Sequence, residues 1–139
     1  MGWIRRVLIM PIIDNTSVFI ARFRIDPAKL DRFRAAHGAI MERSAAYIEA
    51  QSHFVFFGFG RQSHEFVAIE CWKDQEVLTT LRLDPGFQAG VCAMLDCCTA
   101  PIEIELYAGQ TGDKSVFDLY PRGPSAFHPT SNGQHVEFR

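Results

Sequence analysis

Residues 18–25 (VFIARFRI) are rich in β-branched and aromatic side chains, which reads as a strand. Asp26-Pro27 follows, an N-cap acceptor and then proline at a first helical position. From there Leu30, Phe33, His37, Ile40, Met41, Ser44 and Ile48 recur three and four residues apart, which places one apolar face on a long helix. Arg32, Arg34, Glu42, Arg43 and Glu49 fall largely elsewhere on that wheel. Residues 53–59 (HFVFFGF) form a near-continuous apolar run. A polar turn over 60–64 leads into a second run, residues 66–72 (FVAIECW), so the pair reads as a hairpin. Asp74 caps a short helix over residues 75–83. Asp84-Pro85 repeats the start signal for another helix with Phe87, Val91, Met94, Leu95 and Cys98 on its apolar face, ended by Pro101. Residues 102–107 (IEIELY) then alternate strictly, as a half-exposed strand does.

The order β-α-β-β-α-β, with the second α segment broken in two, predicts an α+β ferredoxin-like domain: an antiparallel four-stranded sheet backed by helices on one face. Three regions are expected: an apolar leader over 1–16, the domain over 17–108, and an extended tail over 109–139. In that tail Gly, Pro, Ser, Asn and His dominate, and only Val116-Phe117 and Leu119-Tyr120 offer anchors. Side chains alternate faces along a strand. Phe19, Ala21, Phe23 and Ile25 therefore point one way in the first strand, while Phe66, Ala68, Glu70 and Trp72 share one face of the third. Both faces remain apolar overall, and the helices cover only one. Covering one Val, Ile or Phe is worth about 1.5–3 kcal/mol, so the bare face predicts a homodimer pairing two sheets. Closure by the leader or the tail is the alternative.

Composition narrows the classes. The chain has 139 residues, a formal net charge of −2, 47% hydrophobic residues and 22% charged ones, which fits one domain and excludes intrinsic disorder. No basic-aromatic stripe marks a nucleic-acid partner. The longest apolar run, residues 7–13, is too short for a membrane span and contains Pro11. Cys71, Cys92, Cys97 and Cys98 form no CxxC pair and no zinc-ligand spacing with His, so reduced core thiols and a cytoplasmic setting are expected. Eight of the twelve Phe lie between residues 19 and 66, and this concentration asks for an explanation.

The strand, the Asp-Pro-capped helix, the hairpin, the run Phe66 to Trp72, then Asp74-Gln75-Glu76-Val77-Leu78 and Asp84-Pro85-Gly86-Phe87 together resemble the antibiotic biosynthesis monooxygenase family. The resemblance spans residues 17–107 and centres on Glu70-x-Trp72. It implies a dimeric α+β barrel, and oxygenation of polycyclic phenols or quinols with no metal, flavin or other cofactor. It also implies a pocket between sheet and helices with Trp72 in its wall. Two positions depart from the pattern. A histidine common on the short helix is Leu81 here, and the first strand lacks the asparagine of haem-degrading relatives, which disfavours haem chemistry.

The expected function is thus a cofactor-independent monooxygenase acting on a small aromatic or quinol-type compound. The alternative is a non-catalytic small-molecule-binding or accessory dimer of the same fold. Such oxygenation needs a substrate that itself reduces oxygen, a dry apolar pocket, a flat surface and a base. His37, on the apolar helix face, is the candidate base, and Trp72 the second candidate catalytic residue. Phe19, Phe23, Phe54, Phe56, Phe66 and Trp72 are the candidate substrate walls, with Arg22 to hold a carboxylate or phenolate. The bland readings stand beside these: the aromatics as plain core, His37 bonded to a backbone carbonyl, Arg22 paired with Glu103 or Glu105. Glu70, costly to bury unpaired, is expected to find an Arg partner, with general-base work second.

Overall fold

The computed structural model describes residues 12–119, together with the backbone of the pairs 123–124 and 137–138. The leader expected over 1–16 and the tail expected over 109–139 fall in large part outside the described residues. Four strands, β1 (Ser17–Arg24), β2 (Ser52–Phe59), β3 (Glu65–Trp72) and β4 (Glu103–Ala108), form one sheet in the order β2-β3-β1-β4. All three neighbouring pairs are antiparallel. Between them run α1 (Leu30–Gln51), α2 (Gln75–Leu83) and α3 (Pro85–Leu95). This is the α+β ferredoxin-like arrangement.

Each helix start follows from its aspartate. The Asp26 carboxylate accepts from the Ala28 N–H, closing a single 3-10 turn, Pro27–Lys29, ahead of α1. Asp74 accepts from Glu76 N–H, and Asp84 from Phe87 N–H. Asp84 also ends α2, so one residue both stops a helix and starts the next. The end of α3 departs from expectation. It stops at Leu95 rather than running on past Cys98 to Pro101. The backbone of 96–99 turns back to β1 instead: Asp26 N–H donates to the Cys97 carbonyl and Thr99 N–H to the Arg24 carbonyl. Hydrogen bonds to a strand end replace another helical turn.

The core lies between the sheet and the three helices. Phe23, Phe33 and Phe66 meet edge to face with ring centroids 5.1–5.8 Å apart, and Phe33 is wholly buried. Helices α1 and α3 approach so closely at Gly90 that a Cβ there would run into the buried Ile40 side chain. The opposite sheet face carries Phe54 and Phe56 from β2, which are 43% and 54% exposed. Residues 14–16 and 109–119 lie against one another and against the domain, so described structure extends past both edges of the expected 17–108 unit. Gly109 N–H donates to the Thr16 carbonyl, Thr111 N–H to that of Asp14, and Val116 is fully buried. Side chains at 109 and 112 would collide with the 14–16 backbone, which is why both positions are glycine. Within the region expected as an extended arm, Lys114–Leu119 forms a short 3-10 helix. No helix among the described residues is long and apolar enough to cross a membrane.

Candidate functional site

A cavity of about 70 Å³ opens between the sheet and the helices. Strand alternation builds its floor from Phe19, Phe23, Phe66, Ala68 and Glu70. The roof takes His37 and Ile40 from α1, Leu81 and Arg82 from α2, and Phe87 and Val91 from α3. Nearly all of this lining is apolar. Its ionisable members among the described residues are Glu70, His37 and Arg82.

Glu70 sits in register with Phe19 on β1 and Val55 on β2, so its cross-strand neighbours offer no hydrogen bond. Its Oε2 accepts from the Trp72 indole N–H at 3.1 Å. Two residues apart on one strand, the two side chains share a face, and the indole reaches back to the carboxylate. Loss of hydration pushes the Glu70 carboxyl up to about 7, against the indole bond, which pulls it down. The partner is an indole where sequence reasoning expected an arginine.

His37 stands edge-on to Phe57 and Phe66, with ring centroids 4.6 and 5.1 Å away. Its Nε2 is buried and has no hydrogen-bond partner among the described residues, so that nitrogen is not tied to a backbone carbonyl. Burial lowers its pKa and favours the neutral ring.

The structure splits the expected residue set. His37, Phe19, Phe23 and Phe66 meet at the cavity. Trp72 is 3% exposed and lies outside the lining, bonded to Glu70, rather than in the wall. Phe54, Phe56 and Arg22 lie on the other sheet face, because their register partners Cys71, Ile69 and Val67 point away from the helices. No rotamer carries them through the sheet to the cavity. Arg22 instead donates from Nε to Glu105 Oε1 at 2.8 Å across β1 and β4. Sequence reasoning passed over Arg82, although its spacing from Leu78 and Leu81 puts it on the same helix face. Outside the cavity, Arg43 forms a two-pronged pair with Asp84, with both contacts at 3.1 Å. That guanidinium, followed by the Phe87 N–H, holds the Asp84 carboxyl below its ordinary range.

Solved structures share this architecture. An antibiotic biosynthesis monooxygenase superposes with a TM-score of 0.60 at 17% identity, covering 67% of this chain and 97% of that one. A conserved protein from Methanosarcina mazei Go1 gives 0.61 at 18% identity, over 70% and 95% of the two chains. SnoaB, a cofactor-independent oxygenase from Streptomyces nogalater, gives 0.53 at 21% identity, over 69% and 94%. This chain has the antibiotic biosynthesis monooxygenase fold. No protein-family model and no curated protein matches the sequence. Leu81, where the resemblance leads one to expect a histidine, lines the cavity as one more apolar surface. The ionisable groups come instead from α1, the end of α2 and β3.

Proposed function

We propose that the protein oxygenates a small aromatic or quinol-type compound in the sheet–helix cavity, with no metal or organic cofactor. The observation that carries this reading is an apolar cavity whose lining includes an unbonded buried imidazole nitrogen, His37 Nε2. The solved oxygenase with the same fold supports it. The substrate supplies the electrons. Loss of a proton makes it an electron-rich anion, which oxygen attacks; for a ring methylene, CH2 and O2 become C=O and water. The protein excludes water, holds the ring against Phe19, Phe23 and Phe66, and accepts the proton at neutral His37.

The cavity volume favours a second reading, a binder without turnover. An engineered cavity of about 150 Å³ takes benzene, and 70 Å³ is smaller. A ring system therefore needs the aromatic lining to move aside. Oxygen uptake by metal-free protein with a quinol or an anthrone separates the two readings. Uptake that falls at least tenfold in His37→Leu supports the oxygenase. Uptake no faster than the uncatalysed rate with both substrate classes leaves the binder.

The molecule is further proposed to act as a homodimer through the sheet face bearing Phe54 and Phe56, in a cytoplasmic setting that suits the buried thiols of Cys71 and Cys97.

A further inference from the structure

Glu70 is a carboxylate on the helix-facing side of a strand, between Phe19 and Val55, at the wall of the cavity. One of its oxygens is accounted for. Indole is a donor only, so Oε2 must be the acceptor of the 3.1 Å bond from Trp72. Oε1 makes no such bond to the indole. Trp72 is buried and does not line the cavity, so its bond holds the carboxyl without occupying ligand space.

We propose that Glu70 is the oxygen-recognition site of this cavity: its Oε1 accepts the hydroxyl of a phenol-type ring, while Trp72 acts as the positioning residue that holds the carboxyl. This deepens the cavity reading above and rests on it. The ligand class is a ring bearing an acidic hydroxyl, favoured over a bare hydrocarbon ring of the same size. When the hydroxyl proton transfers, a different proton from the ring-carbon one taken by His37, the phenolic O–H bond breaks and an O–H bond forms on Glu70. The bonding pair stays on the ligand as phenolate, and nothing is oxidised. The other ionisable groups of the lining suit that product. His37 of α1 is kept neutral by burial, and Arg82 of α2 brings a guanidinium to the same lining. Burial also raises Glu70 to about 7, so its gap from a phenol near 10 shrinks from about 6 units to about 3.

The test is binding of phenol and of toluene to the full chain at pH 7, followed by titration calorimetry and by the carboxyl stretch of Glu70 in the infrared. Phenol is expected to bind at least tenfold tighter than toluene. Glu70→Leu should remove that preference and keep toluene binding. Glu70→Gln, which preserves shape and the acceptor for Trp72, should keep ring binding but lose the pH dependence of the preference. Trp72→Phe removes a bond that lowers the Glu70 pKa, so the midpoint of that pH dependence should move upward. A merely structural tryptophan would not move it. Equal affinity for both rings in the unaltered protein, or an undiminished preference in Glu70→Leu, overturns the assignment of Glu70 and leaves the ligand cavity standing. Failure of both rings to bind removes the ligand cavity, and this proposal with it.

Discussion

Glu70 illustrates how one carboxyl can set a pH dependence for the whole chain. It is raised from 4.5 to about 7 in the folded state by loss of hydration. Between those values the folded protein keeps a proton that the unfolded chain has released. The folded state then binds more protons, so stability falls as pH rises through that window. At one pKa unit per 1.36 kcal/mol, the loss by pH 8 is of the order of 3 kcal/mol. Glu70→Gln should therefore stabilise the protein at pH 8 by about 2–3 kcal/mol in urea denaturation and give little gain at pH 4.5. An equal gain at both pH values would assign the effect to packing. His37 acts with the opposite sign. Its lowered pKa costs stability as pH falls below about 6.5. That contribution is common to both proteins and cancels in their difference.

Among the elements, α1 and α3 carry the tightest constraint. Replacing a helix-interior glycine by alanine ordinarily gains up to about 1 kcal/mol. At Gly90 the added methyl meets the buried Ile40, which could yield only by shifting into the cavity it lines. Overpacking of this kind costs about 1–3 kcal/mol. Gly90→Ala should thus lower the midpoint of thermal unfolding, and a raised midpoint would show that the two helices are free to move apart. The element boundaries were largely legible in the sequence because three aspartates, two of them ahead of proline, mark the helix starts. Strand faces were legible for the same reason that alternation is strict. The end of α3 was not, because the bonds from 96–99 to β1 are long-range and leave no local signal. The lining of the cavity was half legible. Periodicity placed His37, Phe19, Phe23 and Phe66, and it could have placed Arg82. It could not tell that β2 turns Phe54 and Phe56 away from the cavity, since that strand is apolar on both faces and its register is fixed only by pairing with β3.

At the scale of the whole molecule, the phenylalanine concentration divides between two jobs. Phe23, Phe33 and Phe66 form the core, while Phe54 and Phe56 stand exposed on the opposite sheet face. The outer face is not uniform, for on β4 it turns charged, with Glu105 paired to Arg22 and also accepting from the Tyr107 hydroxyl. Phe56→Lys should place a charge in the apolar part of that face. In sedimentation at micromolar concentration the unaltered protein is expected at about twice the 15.7 kDa chain mass, and the lysine variant at the single-chain mass. A single-chain mass for both would refute the dimer.

The short stretch before β1 ties these scales together. Thr16 donates from its hydroxyl to the Trp72 carbonyl at 2.7 Å, while its own carbonyl accepts from Gly109 at 2.6 Å. The chain on either flank of the sheet is thereby laced to the backbone of the residue that steadies Glu70. The hydrogen-bonded structure does not end where the sheet ends. Cutting the protein back to its four strands and three helices would release a tether on Trp72, and a deletion made far from the cavity would act as a change at its wall.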